Sequence, residues 1–470
     1  MYNLQRRAGA CSRETTGARE QMEQETRFTF WRGLRLGTFH IGSAMGDILM
    51  TSIWNRILIT SFGIPATPVS LLIAIRYLIS PLSLWAGHLS DNKRIFGLRR
   101  TPIIWLGRGL MAISLPFLGL SVVRLGVDSR DPLGWTFAAL STLIYGIGTL
   151  ISGGPFLALV RESAPEERQG SAIAFIETLL IIFYAIVGIV FSVWMPVFDL
   201  QTFWQMIALT VIAGGFFWLF ATVGIEHRQP DRASGERQPP ADGLGTVLRE
   251  IWADNRTRRF FFFLALTMFS AWAKDAILEP FGADVFGLSM GATTRFNSYW
   301  QTATVVTLIA GGIAWRKRRP ELQGRISQVG LLIMALGMIM LAATSLAGLR
   351  HLVEPALLVF GSGFGIYTFG GLSLMAVMSP DRHAGTYLGL WSISILVFKG
   401  LGTFTGGALR DVLLLRLGLD AGLAYSIIFV LQAVGLTAAV LVLSRIDILG
   451  FARDTGRHVD MVEAQMAAAD

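Results

Sequence analysis

Apolar runs long enough to cross a bilayer recur along the chain, separated by short polar stretches. A helix needs ~20 mostly apolar residues to cross the hydrocarbon. Read by that length, the pattern predicts spans near 35–60, 67–89, 102–124, 133–160, 170–196 and 201–225. Six more follow near 259–280, 291–315, 325–348, 353–378, 385–409 and 421–445. They are numbered 1 to 12 in chain order. A longer polar stretch, 226–258, separates spans 6 and 7; it is rich in arginine and holds Pro230, Pro239 and Pro240. Apolar periodicity returns there at Leu244, Val247 and Leu248, which predicts an amphipathic helix near 244–253 on the membrane surface.

The predicted organisation is a polar N-terminal tail (1–33), a six-helix half (34–225), a linker (226–258), a second six-helix half (259–445) and a polar C-terminal tail (446–470). Aromatic and basic residues interleave from Phe28 to Leu36, the mark of a short interfacial helix before span 1. Residues 1–21 read as unstructured, so Met22 is an alternative start. The tail lacks the apolar core of a cleavable signal peptide.

Composition narrows the class. Hydrophobic residues are 53% and charged residues 15%, with mean hydropathy +0.54, which excludes an ordinary soluble protein. The fold class is an all-α membrane protein. The net charge of +8 reflects topology rather than nucleic acid, because 29 of the 40 basic residues flank one side of the predicted bundle. Only Arg124, Arg130, Arg350, Arg410 and Arg416 flank the other. That asymmetry predicts both termini in the cytoplasm. Cys11 is the single cysteine, so no intrachain disulfide forms. Walker loops, zinc-spaced Cys/His sets and nucleophile elbows are absent, and no enzymatic activity is expected.

The halves repeat in detail. Span 4 leads into Pro165-Glu-Glu-Arg168-Gln-Gly170, and span 10 into Pro380-Asp-Arg382-His-Ala-Gly385. Such internal repeats are how many transporters are built. Between spans 2 and 3 lies Gly87-His-Leu-Ser-Asp91-Asn-Lys93-Arg94, followed by Gly97-Leu-Arg99-Arg100-Thr-Pro102. This loop resembles the signature loop of the major facilitator superfamily, in which the carboxylate at Asp91 would gate the bundle. The resemblance implies the superfamily's fold, two six-helix halves. The second copy, Gly312-Ile-Ala-Trp-Arg316, has arginine where the acid would stand, so any bias from Asp91 is one-sided.

Three further stretches are more specific. They are Trp54-Asn55-Arg56 with Gly63-Ile-Pro65, Gly97-Leu-Arg-Arg-Thr-Pro-Ile-Ile-Trp105-Leu-Gly107, and Lys274-Asp275-Ala-Ile-Leu-Glu279-Pro280-Phe281-Gly282. Together they resemble the PucC/LhaA family, the bacteriochlorophyll-delivery branch of that superfamily, from about Leu34 to Leu443. The resemblance implies an assembly factor for bacterial light-harvesting antenna complexes in the photosynthetic, intracytoplasmic inner membrane. It implies antenna polypeptides, bacteriochlorophyll or its biosynthetic enzymes as partners beside membrane lipids. Bacteriochlorophyll would be cargo or ligand, and no covalent cofactor is expected.

Charges at bilayer depth are functional candidates by default. Asp275 and Glu279 are spaced to share one face of span 7, with Arg295 on span 8 as the expected partner. They read either as a pigment contact or as a salt bridge fixing a break at Pro280. Asp47 lies mid-span among small residues, and Arg76 or Glu177 are its candidate partners. Asn55 and Arg56 add polar groups to span 1. Lys399 has no partner in its own segment and is a candidate for lining a cavity. His40 is the one histidine placed within a span to ligate a chlorin magnesium; the plainer reading is a hydrogen bond to a neighbouring helix. The competing function is a proton-coupled transporter of a small amphipathic solute that uses Asp47, Glu177 or Lys399. A transport-dead scaffold for pigment enzymes is a third.

Overall fold

The computed structural model describes residues 30–83, 95, 97–165, 169–226, 249, 251–315, 320–379 and 384–454. Their regular elements are helices, and one bridge pairs Ile95 with Leu98. Span 1 is assembled from Phe30–Gly37, Phe39–Ile48 and the π-helical turns Leu49–Trp54 and Ile57–Ser61. Span 2 is Ala66–Leu78, span 3 Thr101–Val127, span 4 Pro132–Glu162, and span 5 Gln169–Trp194. Span 6 runs through Leu200–Leu209, Thr210–Gly214 and Gly215–Thr222. Span 7 is Asn255–Trp272 followed by Leu278–Phe286. Spans 8 to 12 are Met290–Trp315, Pro320–Ala347, Val353–Val377, Ala384–Asp411 and Ala421–Ser444.

Several helix starts are fixed by aspartate. Asp131, Asp199, Asp254 and Asp420 each accept a backbone N–H of the first turn of spans 4, 6, 7 and 12. A carboxylate there satisfies donors that the helix itself leaves unpaired. Gly63 ends span 1 with φ +65°, a left-handed turn that a Cβ would strain.

Each half has its own core. One is centred on Trp54, Tyr145, Phe156 and Phe203, the other on Phe260, Phe281, Trp391 and Tyr425. Across the halves, span 2 packs on span 11 and span 5 on span 8. A two-fold relation between repeats demands that pairing, because it maps spans 2 and 11 onto spans 8 and 5. By length and hydropathy eight of the described helices suffice to cross a membrane. Spans 1, 2, 7 and 8 fall outside that set, and each of them meets the other half, spans 2 and 8 against spans 11 and 5.

At the ends of the bundle two expectations change. The interfacial helix Phe30–Gly37 is joined almost end-on to span 1 and tied to span 6, Arg35 donating to the carbonyls of Phe220 (2.9 Å) and Val223 (2.5 Å). The C-terminal tail, read only as polar, contains a helix at Ile448–Asp454, where Phe451 is buried and Arg256 pairs with Asp454 at 2.7 Å.

Gly87, Asp91, Lys93 and Arg94 of the gate loop lie outside the described residues. So do Arg316 to Arg319, Glu166 to Arg168, Pro380 to His383 and most of the linker helix. Arg99 and Arg100 are described. Their backbone N–H groups, with the N–H and hydroxyl of Thr101, donate to the carboxylate of Glu226 beyond span 6. The Arg100 guanidinium pairs with Glu162 at 2.8 Å. Glu226 thus caps span 3 from another helix. Burial works to raise its carboxyl, and the donors of Thr101, Arg99 and Arg100 outweigh burial and hold it below the ordinary value.

A depressed folded pKa means that protonation favours the unfolded chain. The stabilisation is full above the ordinary glutamate value of about 4.3 and is lost as pH falls through the folded value. Glu226→Ala should cost about 1–2 kcal/mol at pH 7, as for a lost helix cap. In SDS-titrated unfolding the gap from wild type should close as pH drops below about 4. A gap that stays constant with pH would assign the loss to packing instead.

Candidate functional site

Span 1 changes from α- to π-helical turns directly after Asp47, and such local widening is frequent at functional sites. Asp47 accepts from Arg76 Nη1 at 2.8 Å, from the Tyr145 hydroxyl at 2.8 Å and from the Tyr184 hydroxyl. Gly46 permits this. A Cβ there would sit 2.6 Å from the Tyr145 oxygen. Arg76 also bonds the Tyr77 hydroxyl and stacks on its ring. Of the two candidate partners the structure brings in Arg76 and not Glu177. Glu177 lies two turns toward the tail end from Tyr184 and makes no hydrogen bond or ion pair with any described residue.

Span 7 does not run as one helix past its middle. The helix ends at Trp272 and resumes at Leu278. The Ala273 carbonyl is aimed at Gly406, where a Cβ would lie 1.8 Å from it, and the Ala276 carbonyl accepts from Asn55 Nδ2 at 2.8 Å. Acceptors that would continue the helix are thereby turned toward spans 11 and 1. The expectation that Asp275 and Glu279 share one helical face is therefore corrected. The break also precedes Pro280, which belongs to the first turn of the second segment.

Asp275 is half-buried and faces a cavity, whereas Glu279 is 1% exposed and points into the inter-half contact. Glu279 Oε1 accepts from Ser52 at 2.7 Å and from Asn297 at 2.6 Å. Arg295, the expected partner, is exposed on span 8. Its neighbour two residues on, Asn297, takes that place, because positions two apart on a helix face different directions.

The cavity lies between the halves and measures about 220 Å³. Asp47, Arg76, Tyr77 and Tyr184 form one side; Trp272, Asp275, Trp300, Phe364 and Lys399 form the other. The Lys399 ammonium sits 3.4 Å from the Trp272 ring centre and 4.5 Å from that of Tyr77. Lys274 lies behind this wall, 1% exposed, with its ammonium 4.3 Å from the Trp300 ring and 4.9 Å from that of Phe360.

At the end of the bundle away from the chain termini, hydrogen bonds close the halves on each other. Besides the Asn55 and Ser52 contacts, Arg56 donates to the Leu288 carbonyl (2.7 Å) and the Thr293 hydroxyl (2.8 Å). Asp411 accepts from the N–H groups of Ala66 and Thr67 and from the Thr67 hydroxyl, at 2.6 to 2.9 Å. Arg410, read from sequence as a loop cation, is buried there between Asp284 (2.6 Å) and Tyr425 (2.7 Å). The Gly291 N–H bonds the Pro196 carbonyl at 3.0 Å.

A chlorin has no seat among these groups as they stand. His40 is 6% exposed, and the rings of Phe39 and Phe156 meet it edge-on. Both its nitrogens are buried without a partner, so the expected hydrogen bond to a neighbouring helix is absent too. A magnesium macrocycle cannot approach either nitrogen. The cavity beside Asp275 is below the ~300–1,000 Å³ of ordinary small-molecule sites, too small for a tetrapyrrole.

Several contributors escaped sequence reading: Tyr145, Tyr184, Asn297, Asp284, and the Trp272–Trp300 pair. A tyrosine in an apolar span is a signal in principle, since its hydroxyl needs a partner when buried.

A family model described as "PUCC protein" matches residues 53–451. "Bacteriochlorophyll synthase 44.5 kDa chain" of Rhodobacter capsulatus is 30% identical over 85% of this chain and 91% of its own length. "Protein PucC" of Rhodovulum sulfidophilum is 27% identical over 82% and 86%. Among solved structures, a transporter of the POT family has TM-score 0.64 at 14% identity, covering 90% of this chain and 96% of that one. A D-xylose–proton symporter has TM-score 0.60 at 15% identity, covering 87% and 97%. These likenesses establish the fold, that of the major facilitator superfamily.

Proposed function

The chain belongs to the PUCC protein family, and from that membership we propose that it is a non-enzymatic assembly factor for bacterial light-harvesting antenna complexes. It would act in the photosynthetic inner membrane with both termini cytoplasmic. It would accompany nascent antenna polypeptides, or hand them bacteriochlorophyll. The observation that carries this reading is the family match, which runs through both halves. A relative named for bacteriochlorophyll synthase supports a pigment connection. Because neither His40 nor the central cavity admits a macrocycle in this conformation, pigment contact is assigned to the lipid-facing surface.

The test is the absorption spectrum of the full chain purified in mild detergent from a bacteriochlorophyll-making host. A near-infrared band that persists through size exclusion, with small antenna polypeptides co-eluting, is expected. A colourless, partner-free protein from that host would remove the assembly reading.

The cavity and the bonded far end favour a second reading, transport of a small amphipathic solute by alternating access. Neutralising Lys399 should abolish solute uptake while partners still co-purify. Under the assembly reading the same change leaves antenna formation intact.

A further inference from the structure

Two charged side chains in the cavity wall have no bonded partner among the described residues. Asp47 is fully used by Arg76 and two tyrosine hydroxyls. Lys399 and Asp275 are not: both line the cavity, and neither side chain makes a hydrogen bond or ion pair with any described residue. The lysine has only the faces of Trp272 and Tyr77. Asp275 attracts the ammonium groups of Lys399 and Lys274 through space, but opposite charges inside a bundle that do not touch are repaid only in part for their desolvation. The other buried charges make no direct contact with them either. Lys274 is behind the wall, and Glu279 points into the inter-half contact with Oε1 bonded by Ser52 and Asn297.

Three rings set edge to face line the same cavity. Trp272 and Trp300 are 6.1 Å apart at 84°, and Phe364 lies 6.1 Å from the first and 5.8 Å from the second. Lysines already lie over one face of Trp272 and of Trp300, so what the three rings offer a flat apolar group is the aromatic surface left toward the cavity. With about 220 Å³ available, the space suits a metabolite and not a pigment.

We propose that this cavity is a binding site for a small organic zwitterion bearing a flat apolar group, its carboxylate at Lys399, its ammonium at Asp275 and its ring against Trp272, Trp300 and Phe364. The ligand completes two ion pairs that the chain leaves open. The site stands apart from the antenna role, and binding requires neither pigment carriage nor translocation.

Isothermal titration of the full chain in nanodiscs tests it, with L-tryptophan and L-phenylalanine against tryptamine and indole-3-propionate. The amino acids should bind, and each singly charged analogue should bind at least about tenfold more weakly, the loss expected for one charged hydrogen bond. The variants should then cross over. Lys399→Gln should bring L-tryptophan down to the affinity of tryptamine and leave tryptamine unchanged. Asp275→Asn should bring it down to that of indole-3-propionate and leave that acid unchanged. General damage to the fold would weaken every probe alike, without the crossover. No binding by any of the four, or an equal loss for all in each variant, overturns the proposal. Pigment co-purification is read separately, so either result stands whatever the fate of the antenna reading.

Discussion

Asp47→Ala should destabilise the protein by about 3–5 kcal/mol, and adding Arg76→Met should recover part of that loss. The asymmetry follows from where the charges sit. Arg76 is 8% exposed, and Asp47 is the one carboxylate bonded to it among the described residues. Removing the carboxylate leaves a buried guanidinium and two buried tyrosine hydroxyls without their acceptor. Removing both charges leaves no buried unpaired guanidinium, so the part of the loss that is due to that charge is recovered, while the tyrosine hydroxyls still lack their acceptor. SDS-titrated unfolding in mixed micelles, with both single variants and the double variant, gives the coupling directly. If Asp47→Ala falls within the ±0.5 kcal/mol of surface substitutions, the network is not holding the first half together. The same cycle tests whether the π-helical turns after Asp47 are held by this network, since hydrogen exchange there should quicken in the single variant only.

That pair was half legible in the sequence. A charge at bilayer depth demands a partner, and few cations were available on neighbouring spans, so Asp47 pointed to Arg76. Tyr145 and Tyr184 were not legible, because a tyrosine in an apolar run fits plain core packing equally well. Most span positions followed from hydropathy to within a few residues, since about 20 apolar residues leave few alternatives, but span 7 runs on to Phe286 and span 9 starts at Pro320. The breaks did not. Span 7 stops at Trp272 because its carbonyls find Asn55, 221 positions away, and a glycine of span 11. No local pattern encodes such partners. Arg295 was assigned by nearness along the chain, and helical phase placed Asn297 inside instead. Spans 1, 2, 7 and 8, which look least like membrane helices, all meet the other half, together with spans 5 and 11. Span 2 is apolar but short, whereas spans 1, 7 and 8 carry polar groups that make contacts across the halves.

Arg56 is where that joining is most concentrated. Its guanidinium reaches from span 1 to the second half and donates to Leu288 and Thr293 there. Hydrogen bonds involving a charged group contribute about 1.5–3 kcal/mol each. Arg56→Met keeps the apolar stem and removes both, so a loss near 3 kcal/mol is expected. At 1.4 kcal/mol per decade that is roughly a hundredfold shift toward states in which the far end is parted. The closed form need not disappear, because Asn55, Ser52 and Asp411 still bridge the halves.

Electron–electron resonance distances read the shift. Spin labels at Arg130→Cys and Arg350→Cys, in a Cys11→Ser background, report one from each half at that end. Wild type should give one short distance. Arg56→Met should add a longer population, and Asp411→Asn combined with it should make the longer population dominant. Unchanged distances in both variants would mean that apolar packing of span 2 on span 11 and span 5 on span 8 closes the bundle, with the polar contacts merely following. Each bond sits opposite an element of the other repeat, so parting them moves one half against the other as a body. On that geometry Asn55 and Arg56 act as a clasp between the halves rather than as a binding site.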